Sequence, residues 1–468
     1  MTGNIQRNGL SGIWKHMAGQ GVLIDGSQFL SKTATGIGSY GRTLTRTLRT
    51  LGMPVTVLYG RSTHVSRRAS PQNLATQVFG SELPPERRLI RALRNAPFLA
   101  RSLVGLTRAV RPDRVSTEGV DLEAFEPPLP TVDHVLNASR IYDRAHLHFT
   151  LKERLLEVVA PGGIELAHWT GPMALKAKGI PNVYTLHDLI PIQFPYFIVD
   201  RGGLSYRLHT AIAREADHII TVSEASKHHI VDLLKIPEDR VSVTYQPAPS
   251  LARLERPDAE RLVETIYGAE PGNYALFLGA IEPKKNLKRL IEAFLMANPG
   301  IPLLLAGPKG WLNKDDLELI QTVSARQSLV RQLGYLPRRH VTALLQCARF
   351  FAFPSIYEGF GLPVLEAMQL GVPVLTSNTS SLPEVAGDAA VLVNPLDINQ
   401  LTKGIRALSN DPDLRSELTL RGPQQAAKFS DEIYRHRLTE AYRKVGISLP
   451  RTAQQPQVVQ SAGAHVPV

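Results

Sequence analysis

The chain has 468 residues, which is too long for one hydrophobic core and suits two or three domains. Hydrophobic residues at 43% and charged residues at 20% exclude global disorder and a membrane-embedded body. A membrane-spanning helix needs roughly 18 to 20 apolar residues in a row, which the chain lacks, and its polar start has no apolar signal segment. These features predict a cytoplasmic protein.

Basic residues exceed acidic residues by 11. Part of this excess lies between residues 86 and 111, where arginines alternate with apolar residues: Arg87, Arg88, Arg91, Arg94, Arg101, Arg108 and Arg111. Such a segment is typical of a peripheral contact with an anionic membrane surface, here the inner face of the cytoplasmic membrane. It is equally typical of a surface helix with a solvated cationic face. No nucleic-acid-binding module is recognisable, so we expect no nucleic-acid partner.

Short apolar runs alternate with helical patterns along the chain, which predicts an α/β protein with two doubly wound parallel sheets. In the first half we predict strands at 21–25, 55–59, 164–168, 182–187, 218–222 and 241–245, and helices at 39–51, 204–215 and 224–234. In the second half we predict strands at 274–278, 302–306, 330–333, 350–353, 372–376 and 390–393. Ser430 is predicted to cap a last helix over 431–445.

This pattern divides the chain into five parts. Residues 1–18 are predicted to be a disordered leader and 448–468 a disordered tail. A first domain is expected over 19–265, with a basic insertion at about 60–130, and a second domain over 266–429. The helix at 430–447 is expected to close the structure, and ligands are expected in the cleft at the carboxyl ends of the strands.

The most informative segment is PSIYEGFGLPVLEAMQLGVPV, which starts at Pro354. A buried strand turns through Gly359 and Gly361 into a helix with Pro363 in its first turn. The free amides near Leu362 suit an anion such as a diphosphate. Glu358 and Glu366 suit hydroxyl groups beside it, on a sugar and a ribose.

This segment has a Glu, seven further residues and a second Glu around a GFG turn. It resembles the motif of the retaining glycosyltransferases of family 4. The resemblance covers most of residues 20–446 and implies two Rossmann-like domains facing across a cleft (GT-B type), with no metal. It places Glu358 and the backbone of Gly359, Phe360 and Gly361 near the donor sugar and its phosphate, and Glu366 on the ribose.

A second turn, in LFLGAIEPKKNLKRLIEAF from Leu276, carries Lys284 and Lys285, whose charges suit a phosphate. It resembles the phosphate-binding turn of the family, with Lys285 at the position of the family's lysine. Ala280 replaces the usual arginine, which leaves Lys284 or another residue to supply the second charge. The form EPKKN is similar to the corresponding turn in one branch of the family. That branch contains many bacterial mannosyltransferases of surface polysaccharide assembly.

Gly36, Gly38 and Gly41 spell G-x-G-x-x-G, which also occurs in dinucleotide-binding proteins. The predicted strand ends near Asp25, too early for the tight turn of that motif, and no acidic residue follows at the ribose position. TGIGSYGRTL instead resembles the first glycine loop of family 4, so Gly36 and Gly38 are assigned to donor binding.

His187 ends a predicted strand at the edge of the cleft, and VYTLHDLIP resembles the family segment whose histidine reaches the donor sugar. A structural histidine is the alternative. No metal site is predicted, because neither a second histidine nor a carboxylate stands at ligand spacing. The segment 222–226 (VSEAS) resembles another landmark of the family and is also a typical capped helix start.

These motifs predict a retaining hexosyltransferase with His187 and Glu358 as catalytic residues. The predicted donor is a nucleotide sugar, GDP-mannose before a UDP-sugar, and no other cofactor is expected. The predicted acceptor is a lipid-linked oligosaccharide or polysaccharide. A non-catalytic sugar-nucleotide-binding protein and an NAD-dependent oxidoreductase are the alternatives.

Overall fold

The computed structural model describes most of the chain between residues 21 and 448. The described residues are 21–30, 36–63, 75, 77–79, 96, 98, 100–102, 109–121, 129–197, 203–247, 251–310, 314–327 and 329–448. The predicted leader, the predicted tail beyond 448 and most of the predicted insertion at 60–130 lie outside these residues.

Sixteen strands lie in the described residues. They are β1 Gly21–Asp25, β2 Val55–Tyr59, β3 Asp113–Val115, β4 His134–Asn137, β5 Leu156–Val158, β6 Ile164–Trp169, β7 Leu175–Ala177, β8 Asn182–Thr185, β9 His218–Thr221, β10 Val241–Val243, β11 Ala275–Leu278, β12 Leu303–Ala306, β13 Val330–Gly334, β14 Phe350–Phe353, β15 Val374–Ser377 and β16 Val391–Val393.

Helices connect most of these strands. They are α1 Gly36–Thr50, α2 Ile141–Lys152, α3 Ile190–Gln193, α4 Leu204–Glu215, α5 Glu224–Leu234, α6 Arg256–Tyr267, α7 Leu287–Ala297, α8 Lys314–Gln327, α9 Arg338–Gln346, α10 Leu362–Gln369, α11 Leu382–Ala386, α12 Ile398–Asn410, α13 Pro412–Ala427 and α14 Asp431–Arg443.

The first sheet has eight strands in the order β10-β9-β8-β6-β1-β2-β4-β3. Its central strands are buried along their whole length, as in β2, because helices cover both faces of a parallel sheet. Among the described strands of this sheet only β3 runs antiparallel, at the edge beside β4, and it lies within the predicted insertion at about 60–130, so the end of that segment belongs to the sheet. The strand order reverses between β1 and β6, which places the ends of these two strands at a switch point.

The second sheet has six parallel strands in the order β13-β12-β11-β14-β15-β16. This is the Rossmann order 3-2-1-4-5-6, and its switch point lies between β11 and β14. Stacked phenylalanines fill the core behind that point: the ring centroids of Phe277 and Phe353 are 6.0 Å apart, and those of Phe351 and Phe353 are 5.8 Å apart. The two predicted Rossmann-like domains are confirmed.

The chain crosses between the two domains after β10 and again before α14. Ser430 caps α14 by accepting from the Ile433 amide, as predicted, and the helix returns to the first domain. There the Tyr442 hydroxyl bonds to His168 Nδ1 at 2.7 Å. The last helix, which follows the second domain in sequence, therefore packs on the first domain.

One predicted boundary is wrong. The predicted division at 265/266 falls inside α6. Leu254, just before this helix, donates its amide to Gln346 Oε1 at 2.9 Å, and the Tyr267 hydroxyl at its end bonds to His340 Nδ1 at 2.6 Å, both on α9 of the second domain. The second domain therefore begins before Arg256.

None of the helices in the described residues combines the length and the apolar composition that a membrane span requires.

Candidate active site

The turns after β11 and β14 meet at the switch point of the second sheet. Gly361 ends the second turn with a φ of 111°, a backbone conformation that favours glycine, and α10 begins at the next residue. Pro363 lies in the first turn of α10, where its missing N–H costs nothing. The predicted strand, glycine turn and helix are thus present, with the first amides of the helix at the carboxyl edge of the sheet.

The turn after β11 brings two lysines onto Glu358. Lys285 Nζ donates to Glu358 Oε1 at 2.5 Å, and Lys284 Nζ lies 3.7 Å from Glu358 Oε2. Burial opposes the charged form of Glu358, but Lys284 and Lys285 outweigh it and hold the pKa of this carboxyl below its usual value. The structure thus joins three of the predicted site residues in one buried charge cluster.

The two lysines of this cluster differ in their surroundings. Burial lowers the pKa of Lys285, whose ammonium also lies 4.7 Å from the centre of the Phe353 ring. For Lys284 burial acts in the same direction, but Glu358, Asp188 and Glu282 together raise the pKa above its ordinary value. Carboxylates therefore hold the Lys284 charge firmly, while Lys285 lies deeper beneath Glu358.

Glu366 lies farther along α10 and is only 8% exposed. Arg338 Nη2, at the start of α9, is 3.1 Å from Glu366 Oε1. Burial raises the pKa of Glu366 and Arg338 opposes that shift. The ion pair described for Glu366 is with Arg338, and the described contacts do not join it directly to the lysine cluster.

His187 follows β8 on the facing domain. Its Nε2 lies 3.0 Å from the Thr170 carbonyl oxygen. A carbonyl can only accept, so Nε2 carries the proton and the Nδ1 of the neutral ring is left as an acceptor. Burial lowers the pKa of His187, which favours this neutral form.

The predicted glycine loop is the first turn of α1, which begins at Gly36 and not at Ser39. Gly36 is exposed and Gly38 is buried. One turn later, the Tyr40 ring packs edge-on against His187 with centroids 4.8 Å apart. The start of α1 therefore lies near His187.

The two domains touch where the predicted catalytic residues lie. A Cβ atom added to Gly359 would lie 2.7 Å from the His187 carbonyl oxygen, so only glycine permits this approach. The neighbouring Phe360 side chain is 5% exposed and packs against Tyr245 and Phe429, which leaves its backbone for the predicted contact.

Sequence reasoning missed several residues of the site. Asp25 Oδ2 accepts from the Thr170 amide at 2.6 Å and from the Thr170 hydroxyl at 2.8 Å, and so fixes the segment that holds His187. Glu282 borders Lys284 at 3.6 Å. The signal at Asp25 was a carboxylate directly after the apolar run of β1.

In the described residues no group of three or more His, Cys, Asp or Glu is arranged to hold a metal ion.

Two family models match the chain. The model for glycosyl transferases group 1 matches residues 264–425, and that for glycosyltransferase family 4 matches residues 105–248. The first match includes both strands of the switch point in the second sheet, β11 and β14, and the second match includes β6 but not β1.

Two relatives of the chain are named as mannosyltransferases. Over 270 residues the chain is 38% identical to "O-antigen chain mannosyltransferase B" of Escherichia coli, a match that covers 56% of this chain and 70% of the relative. It is 29% identical over 288 residues to "Serotype-specific mannosyltransferase WbdA" of Escherichia coli. This second match covers 58% of this chain and 35% of the relative.

Solved structures show the fold. The glycosyltransferase WaaG, involved in lipopolysaccharide biosynthesis, matches with a TM-score of 0.58 at 14% identity, over 91% of this chain and 100% of that one. Anabaena HepE in complex with UDP-glucose matches with a TM-score of 0.58 at 16% identity, over 90% of this chain and 99% of that one. The chain therefore belongs to glycosyltransferase family 4 and is a hexosyltransferase with the GT-B fold.

Proposed function

We propose that the protein is a retaining mannosyltransferase that moves mannose from GDP-mannose onto a lipid-linked oligosaccharide or polysaccharide. The cluster of Lys284, Lys285 and Glu358, placed against the domain that carries His187, is the observation that carries the proposal. The choice of mannose and of an O-antigen type of acceptor rests on the names of the relatives.

The second domain holds the donor in this proposal. The amides at the start of α10 and the two lysines bind the diphosphate, and Glu366 accepts from the ribose hydroxyls. Without donor, Glu358 pairs with both lysines and Glu282 pairs with Lys284. An incoming diphosphate takes over this pairing, and Glu358 then accepts from hydroxyls of the sugar.

The first domain supplies the acceptor side and completes the sugar site. Gly36 and Gly38 at the start of α1 approach the donor, and the His187 Nδ1 lone pair accepts from a sugar hydroxyl. The anomeric C–O bond to the phosphate breaks as the acceptor oxygen bonds to the same face of that carbon. The acceptor proton passes to the departing phosphate oxygen, so charge on the diphosphate is stabilised by the lysines throughout.

A thermal-shift screen tests the donor site. The purified protein is heated with GDP-mannose, UDP-glucose, UDP-galactose, GDP, UDP or NAD. We expect GDP-mannose and GDP to raise the Tm, since a ligand at 100 times its Kd adds about 2.7 kcal/mol to stability. Lys285→Ala and Glu366→Ala should each reduce this shift.

Lys288→Ala is the matched control, because Lys288 is exposed and lies three residues after Lys285. It should keep the full shift. Stabilisation by NAD alone would refute the proposal and favour the oxidoreductase. A GDP-mannose shift without release of GDP in the presence of acceptor would favour the non-catalytic binding protein.

We further propose that the arginines at 87–111 hold the enzyme on the inner membrane face, close to a lipid-linked acceptor. Each basic residue near an anionic surface contributes about 1 kcal/mol. Replacing all seven arginines with glutamine should therefore lower binding to phosphatidylglycerol vesicles at least about 100-fold. Phosphatidylcholine vesicles are the control, and unchanged sedimentation with phosphatidylglycerol would contradict membrane contact.

A further inference from the structure

The first turn of α5, which the VSEAS segment forms, touches the second domain. Ser223 caps this helix by accepting from the Ser226 amide at 3.1 Å, and its hydroxyl donates to the Gly359 carbonyl at 2.8 Å. The Ser226 hydroxyl donates to the His187 carbonyl at 2.9 Å. Two serines of one helix turn therefore join the segment that carries Glu358 to the segment that carries His187.

A carboxylate from the second domain completes the cap of the same helix. The Glu224 amide donates to the two oxygens of Glu384 at 2.8 and 3.1 Å, and the Ala225 amide donates to Glu384 Oε2 at 3.4 Å. The first amides of a helix have no partner within the helix and carry partial positive charge. Glu384 supplies that partner from α11, across the junction of the two domains.

Charged and titratable groups on several other elements surround Glu384, and Lys428, directly after α13, lines the same cavity. Glu224 lies on α5, and Tyr245, on the chain crossing after β10, forms a side-chain hydrogen bond with Glu384. Arg437 of α14 stacks over Tyr245 at 4.3 Å from the ring centre. Burial raises the pKa of Glu384, and the two amides and Tyr245 oppose that shift. Acidification thus protonates Glu384 sooner than an ordinary glutamate.

We propose that Glu384 is a positioning residue that latches the two domains in the arrangement needed for transfer. Its hydrogen bonds form only when the start of α5 lies against α11. In the same arrangement Gly359 lies against the His187 carbonyl. Loss of the latch would let Glu358 and His187 separate, although the donor would stay on the second domain. This inference rests on the proposed function in that it assumes donor binding by the second domain.

Glu384→Gln tests the latch, because the amide keeps the size of the side chain but has one acceptor oxygen and no charge. We expect kcat to fall about tenfold, which corresponds to about 1.4 kcal/mol in the activation barrier. The Kd for GDP-mannose, measured by calorimetry, should change less than about twofold. Small-angle scattering with donor bound should show a larger radius of gyration than in the unchanged protein.

The pH profile separates positioning from a merely structural role. In the unchanged protein kcat should fall on acidification as Glu384 is protonated, and Glu384→Gln should lose this part of the acidic limb. Asp388→Asn is the matched control, since Asp388 lies four residues later with a side chain that is 79% exposed. It should keep the kcat and the pH profile of the unchanged protein.

Three outcomes would overturn the inference: an unchanged kcat, a Kd that weakens as much as kcat falls, or an acidic limb that Glu384→Gln retains. Ser223→Ala removes a contact of the same junction and should lower kcat with a similarly small change in Kd, which guards against a folding defect confined to Glu384→Gln. Failure of the unchanged protein to bind any sugar nucleotide would refute the proposed function instead.

Discussion

Asp25 orients His187 through an intermediate residue. Its carboxylate accepts from both the amide and the hydroxyl of Thr170, whose carbonyl in turn accepts from His187 Nε2. A neutral ring with a fixed tautomer has a single acceptor nitrogen, here Nδ1. Such control over orientation matters because a displacement of about 1 Å can lower a rate on the order of 10²-fold.

Asp25→Ala should therefore lower kcat by about 10- to 100-fold, because it removes Oδ2, the oxygen that accepts both bonds from Thr170. The Kd for the nucleoside diphosphate should stay the same, because Asp25 lies in the first domain. Steady-state kinetics and calorimetry give the two values. Ser27→Ala is the control: it removes a bond to Asp25 Oδ1 but leaves both contacts with Thr170, so near-normal kcat is expected. Equal losses in both variants would contradict the role of Thr170.

At the scale of elements, local signals predicted the long, well-bounded segments. The helices 204–215 and 224–234 have the expected bounds, and β1, β2 and β14 match residue for residue. Runs of buried apolar residues bounded by glycine, proline or a cap carry their own start and stop signals. The EGFGLP turn was predictable for the same reason, because its glycines, proline and helix lie next to one another in sequence.

Elements with weak local signals were missed or misplaced. In α6 only Ala259 and Val263 are buried, so the apolar pattern of this helix was too weak to predict, and the domain boundary was placed inside it. The strands β3, β5 and β7 have three residues each with a charged residue at the centre, which leaves no apolar run to detect.

Long-range contacts escaped prediction for a different reason. Arg338 meets Glu366, and Glu384 meets Glu224, only because the tertiary structure brings distant segments together. The sequence could predict which residue types line a strand end, but not which partner they find across the cleft.

At the scale of the whole molecule, both chain crossings converge on the turn that carries Glu358. Tyr245 follows β10, has a φ of 60° and packs 5.1 Å from Phe429, which precedes α14. Both rings also contact Phe360, with ring centroids 6.2 Å apart for Tyr245 and 5.5 Å apart for Phe429. A bulky residue with positive φ is strained, and the packing of this cluster holds it in place. A change in the angle between the domains would therefore have to move these aromatic rings, which pack against the predicted donor turn.

The last helix ties the end of the second domain back to the first through a fully buried histidine. His168 Nδ1 bonds to the Tyr442 hydroxyl at 2.7 Å and Nε2 to the Thr185 hydroxyl at 2.7 Å. Burial lowers the pKa of His168 to about 3, with His187 adding to the shift, so the ring stays neutral at pH 7. Its two bonds are then ordinary neutral hydrogen bonds, each with a hydroxyl that can donate or accept.

Tyr442→Phe should destabilise the first domain by about 1–3 kcal/mol, because it leaves a buried ring nitrogen without its partner. The Tm should fall by several degrees, since about 1 kcal/mol moves the Tm of a domain of this size by roughly 2–4 °C. Tyr335→Phe removes the same hydroxyl from a side chain that is 59% exposed and should leave the Tm unchanged. An equal Tm for both variants would show that α14 contributes to stability through apolar packing alone. A loss confined to Tyr442→Phe would show that the closing helix depends on His168.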